Sequence, residues 1–81
     1  MKAATLMDLA INRIRQYLPE DHEIDDINCE DNIFQICVFD VAKFPGRLVD
    51  RFRFEIRASE TELETYDRFN DTLCKFVESW R

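Results

Sequence analysis

An apolar block, a proline-glycine pair and a second, alternating block constrain this chain more than anything else in its 81 residues. From Asn32 to Ala42 the chain reads Ile33, Phe34, Ile36, Val38, Phe39 and Val41, with apolar residues on both alternating faces. From Leu48 to Arg57 it alternates cleanly. Leu48, Phe52, Phe54 and Ile56 fall on one side, and Val49, Arg51, Arg53, Glu55 and Arg57 on the other. A period of two is the strand period. Phe44-Pro45-Gly46-Arg47 lies between the blocks and suits a type II turn, so a β-hairpin is the expected centre of the fold.

The register of that hairpin decides which side chains face out. If Phe44 and Arg47 flank the turn, Asp40 pairs with Arg51, Val38 with Arg53, Ile36 with Glu55 and Phe34 with Arg57. The other face then pairs Phe39 with Phe52, Cys37 with Phe54 and Gln35 with Ile56, and this face is the expected core. The outer face would carry Phe34, Ile36 and Val38 flanked by Arg51, Arg53 and Arg57. Apolar residues mixed with arginines have the composition of an interface, and a homodimer through this face is one expectation. A slip of one residue would reverse the assignment.

Amphipathic helices are expected on both sides of the sheet-forming region. Residues 3–18 place Ala3, Leu6, Met7, Ala10, Ile14, Tyr17 and Leu18 at steps of three and four, with Thr5 and Asp8 as a capping pair and Pro19 ending the element. After Ser59 and Glu62, read as a capping box, Leu63, Tyr66, Phe69, Leu73, Phe76, Val77 and Trp80 recur at helical spacing. Between the first helix and the hairpin, residues 23–29 read as a short edge strand. Its only large apolar residues, Ile24 and Ile27, are three apart rather than two, so an irregular strand is expected. The fold class is therefore α+β: one domain over residues 1–81, helix–three antiparallel strands–helix, with both helices on one sheet face.

Charge supplies the functional lead. The net charge is −6, and seven of the twelve residues 20–31 are acidic with no Lys or Arg among them: Glu20, Asp21, Glu23, Asp25, Asp26, Glu30 and Asp31. A second acidic array, Glu60, Glu64, Asp67 and Asp71, lies on the exposed side of the last helix. Helical neighbours three or four apart stand about 5–6 Å from one another, of the order of the phosphate spacing along a nucleic-acid strand. Such arrays fit a basic groove built for DNA or RNA, and long-range attraction speeds their association. The same acidity argues against direct binding of nucleic acid, which relies on neutralising phosphates.

Other classes find little support. The longest uncharged apolar run is Ile36 to Phe39, far short of the ~20 residues a membrane span needs. The chain has one histidine, one glycine, no zinc-ligand spacing, no phosphate-binding glycine loop and no calcium-loop pattern. No catalytic residue, metal or cofactor is expected. The cysteines, Cys29, Cys37 and Cys74, are odd in number and lack CxxC spacing, which suits a reducing cytoplasm, with Cys37 and Cys74 as small buried hydrophobes. No signal-peptide pattern follows Met1–Lys2.

The element order resembles that of the double-stranded-RNA-binding domain. That family carries a lysine-rich motif at the start of its last helix, where this chain reads Ser59-Glu60-Thr61-Glu62-Leu63-Glu64. Phosphate repulsion there removes the family's main contact, so its function is not carried over. In size and charge the chain also resembles small acidic phage proteins that block restriction or CRISPR complexes. The expected function is non-catalytic inhibition of a nucleic-acid-handling protein through its basic surface. The alternatives are an immunity protein or antitoxin against a basic toxin, and a dimerisation module.

Overall fold

The computed structural model describes residues 2–80. Helix α1 (Ala3–Arg15) is followed by strands β1 (His22–Cys29), β2 (Ile33–Asp40) and β3 (Arg47–Glu55) and helix α2 (Glu62–Glu78). The strands form one antiparallel sheet in the order β1-β2-β3. Both helices lie on the same face. A single buried cluster joins Leu6, Ala10 and Ile14 of α1, Phe34, Ile36 and Val38 of β2, Phe52 and Phe54 of β3, and Phe69, Leu73 and Val77 of α2.

The helices form where apolar residues recur every four positions. In α1 the buried line is Leu6, Ala10, Ile14, and in α2 it is Thr65, Phe69, Leu73, Val77. Leu63 and Tyr66, expected on the apolar stripe, are exposed. At 100° per residue, Leu63 lies about 120° round the helix from Phe69. The caps also differ from expectation. Helix α1 begins at Ala3 after Lys2, without a side-chain cap, so Thr5 sits inside its first turn. Helix α2 is capped by Thr61, not Ser59. The Glu64 amide donates to Thr61 Oγ1 at 3.2 Å, and the Thr61 amide donates to Glu64 Oε1 at 3.0 Å.

The hairpin register corrects the sequence reading. Phe34 pairs with Phe54, Gln35 with Arg53, Ile36 with Phe52, Cys37 with Arg51 and Val38 with Asp50. The pairing then slips, so that Phe39 meets Leu48 and Asp40 meets Arg47, leaving Val49 as the extra residue of a bulge. Phe34, Ile36 and Val38 therefore point into the core, at 1% exposure or less, and cannot form an outer interface. The turn differs in kind as well. Residues 41–46 connect the strands, the Phe44–Pro45 peptide is cis, and Gly46 does not adopt the positive φ that a type II turn requires.

Candidate partner-binding surface

Strand β1 pairs on one side only, which makes it a sheet edge. Its irregularity follows from its two isoleucines. Ile24 sits opposite Val38 and packs against the core. Between Asp25, opposite Cys37, and Asn28, opposite Gln35, β1 takes three steps while β2 takes two. Asp26 absorbs the extra residue with φ 52°, a left-handed conformation in which Asp and Asn are the common non-glycine residues. The Asp25 carboxylate accepts the Asp26 amide at 2.8 Å and so fixes the bulge. Ile27 is left exposed.

The bulge keeps Glu23, Asp25 and Asn28 on the face away from the helices, because they lie opposite Phe39, Cys37 and Gln35. Glu20 and Asp21 precede the strand, and Glu30 and Asp31 follow it. Eight residues at about 3.3 Å each separate the two ends by about 25 Å. The acids thus form a line along one edge rather than a compact cluster. All seven are exposed, and among the described residues none is ion-paired with a Lys or Arg.

The acids of α2 are arranged otherwise. Glu60 is clamped by Arg68, whose Nε lies 2.9 Å and Nη2 2.6 Å from its carboxylate oxygens. The same Nη2 donates to the Glu55 carbonyl at 2.5 Å, and the guanidinium lies over the Phe54 ring at 4.3 Å. The Arg68 hydrogen bond, aided by the charges of Arg68 and Arg57 and opposed by desolvation, holds the Glu60 carboxyl below its ordinary value of 4.5. Hydrogen bonding to Glu60 likewise raises the Arg68 pKa above its ordinary value, against the opposing effect of burial. Glu64 is engaged in the capping box, and Asp71 pairs with Lys75 at 3.1 Å. Asp67 is exposed, but the four do not form a free array.

His22 opens β1 half-buried rather than lying on a solvated loop. Its ring meets Trp80 edge-on at 5.2 Å, and its Nδ1 lies 2.7 Å from Asp21 Oδ1. One ligand atom each from Asp21, His22 and Asp40 falls within 4.8 Å of the others. Their contacts have a structural role. The Asp21 carbonyl accepts the Val41 amide at 2.8 Å, joining the start of β1 to the end of β2, and Asp40 Oδ1 accepts the Ala42 amide at 2.9 Å, bracing the turn that leaves β2.

The open sheet face carries Arg51 and Arg53 as the sequence predicts, but with a different set of β2 side chains. Its central strand presents Gln35, Cys37 and Phe39, with Glu23 and Asp25 to one side and Arg51, Arg53 and Leu48 to the other. Arg57 lies beyond β3 and is exposed. Cys37 is buried as expected, but Cys74 is exposed, and all three cysteines are unpaired. A signal for this face existed in Gln35. Turning it outward spares a buried amide that would need hydrogen-bond partners. Comparison with family models, curated proteins and solved structures finds no match for this chain.

Proposed function

We propose that this protein is a non-catalytic inhibitor whose acidic edge, residues 20–31, occupies the basic surface of a nucleic-acid-handling protein. The observation that carries the reading is the contrast between the two acidic arrays. Of the acids before and within α2, Glu60 is held by Arg68, Glu64 by the helix cap and Asp71 by Lys75. The seven along β1 and its two ends are exposed, three of them (Glu23, Asp25 and Asp26) lie on a hydrogen-bonded strand, and among the described residues none of the seven is ion-paired with a Lys or Arg. A line of unneutralised carboxylates steers association with a positive groove and costs little to desolvate at its rim.

The partner class in this proposal is a restriction or CRISPR complex, whose DNA- or RNA-binding channel must be basic to hold phosphates. Unpaired cysteines fit a cytoplasmic setting. Among the described residues no helix is long and apolar enough to cross a membrane.

The test is competition. A CRISPR surveillance complex or restriction endonuclease is titrated with the protein, and its binding of labelled duplex DNA is followed. The protein should displace DNA, and combined Asp21→Asn, Glu23→Gln, Asp25→Asn and Asp26→Asn substitution should weaken displacement by at least 100-fold. Asp67→Asn should leave it unchanged. Equal displacement by the fourfold variant and the wild type would overturn the reading.

A further inference from the structure

We infer that the open sheet face is a self-complementary surface on which a second copy of this chain docks, with the two β2 strands facing each other about a two-fold axis parallel to them. This goes beyond the inhibitor reading and stands on a different observation, the order of charge across the sheet.

Three cross-strand rows build the face. The central row runs Asp25–Cys37–Arg51, flanked by Glu23–Phe39–Leu48 and Asn28–Gln35–Arg53. Each row thus passes from an acidic or polar edge, through a less polar centre, to a basic or apolar edge. Cys37 is 3% exposed and Phe39 half-buried in the central strand, and Leu48 is exposed on β3 beside the arginines, so the open apolar surface is that of Phe39 and Leu48. Asp25 and Arg51 lie on strands two apart, about 9–10 Å from one another, and neither has an ion-pair partner among the described residues. Both helices lie on the opposite face, so among the described residues no helix or further strand covers these groups.

Symmetry decides the rest. Rotation about an axis along β2 lays each row on its own reverse. Asp25 then faces the second copy's Arg51, Arg51 faces its Asp25, and Cys37 and Phe39 meet their counterparts near the axis. Rotation about an in-plane axis across the strands would instead stack acidic edge on acidic edge. Only the first arrangement sets Asp25 against Arg51, and it is an isologous, closed dimer of aligned sheets.

Size sets the strength. Three strands about 4.8 Å apart and eight residues long give a footprint of about 14 by 26 Å, or roughly 400 Å² per copy. That is about half the area each partner contributes to a standard specific interface, so the dimer is weak, with a dissociation constant of about 10 µM to 1 mM.

Sedimentation equilibrium from 5 µM to 1 mM provides the test. The wild type should pass from monomer to dimer across that range and go no further. Asp25→Arg and Arg51→Glu should each weaken dimerisation at least tenfold. The first variant also lowers the net charge from −6 to −4, which would favour non-specific association, so its loss of dimer cannot be a net-charge effect. The decisive arm mixes the two single variants. The new cation at position 25 then faces the new anion at position 51, Arg51 faces Asp25, and a heterodimer should form where neither variant dimerises alone. A wild type that remains monomeric to 1 mM, single variants that dimerise like the wild type, or a mixture that stays monomeric would each overturn the proposal. Arg51 lies outside the acidic edge, so loss of the dimer through Arg51→Glu should leave displacement of DNA untouched, and the two readings fail separately.

Discussion

The register of the central hairpin determines both the core and the open face, and two phenylalanines five residues apart test it. Phe34 is 1% exposed and its ring lies 5.9, 6.0 and 6.4 Å from those of Phe52, Phe54 and Phe69. Phe34→Ala removes the ring at the centre of that aromatic cluster, which costs about 3–5 kcal/mol in transfer and cavity terms. A domain of this length has about 4–12 kcal/mol in total, so the variant loses about a quarter or more of its stability. Phe39 is half-buried on the other face, where truncation removes only part of a side chain's burial, about 1 kcal/mol. Urea unfolding followed by circular dichroism reads the difference. With a slope of about 1 kcal/mol per molar, the midpoint should fall by about 3 M or more for Phe34→Ala and by about 1 M for Phe39→Ala. If Phe34→Ala does not fold, the milder pair Phe34→Leu and Phe39→Leu preserves the ranking. A larger loss at Phe39 than at Phe34 would refute the register, and with it the assignment of Asp25, Cys37 and Arg51 to one outward row.

Two further outcomes follow from local geometry. At position 26, where φ is 52°, Asp26→Gly should be about 1 kcal/mol more stable than Asp26→Ala, because only glycine escapes the Cβ penalty of left-handed backbone; equal stability in thermal melts would mean that the β1 bulge is absent. The Arg68 clamp depresses the folded-state pKa of Glu60, so its contribution is fully present above the ordinary value of 4.5 and is lost as pH falls through the folded pKa. Glu60→Gln should accordingly lower the melting temperature at neutral pH and flatten its decline on acidification, and parallel wild-type and variant curves below pH 4.5 would show that the pair contributes nothing.

Element order, the antiparallel sheet and the side on which the helices pack follow from periodicity alone, because Leu6, Ala10 and Ile14, or Phe69, Leu73 and Val77, leave few alternatives. The register was less legible for two physical reasons. Strand β2 is apolar on both faces, so Phe34, Ile36 and Val38 compete with Cys37 and Phe39 for the core. Val49 adds a residue that shifts Leu48 from the face of Phe52 to the face of Phe39, and it looks like any other β-branched strand residue. The irregularity of β1, by contrast, was visible in the three-residue spacing of Ile24 and Ile27, since keeping Ile24 on the core while Asn28 turns outward requires one extra residue.

The acids illustrate how far charge alone carries an argument. Sequence treats Glu60 and Asp25 alike, as members of two clusters on a net-negative chain. Structure separates them by their neighbours. Glu60 lies eight residues before Arg68, just far enough for the loop before α2 to fold the carboxylate back onto that guanidinium, which also holds the Glu55 carbonyl and covers Phe54. It is therefore a hinge pin between β3 and α2, and a partner would have to break that clamp to use it. Asp25 has only the Asp26 amide and faces solvent from a strand whose outer edge is open. A carboxylate already holding an arginine offers a partner little net attraction, whereas one held only by its own backbone keeps its charge for another surface. The same reasoning applies to Arg51 and Arg53 at the far side of the sheet. On the open face and along the acidic edge, charges without an ion-pair partner among the described residues stand in rows, and the two proposals rest on those rows.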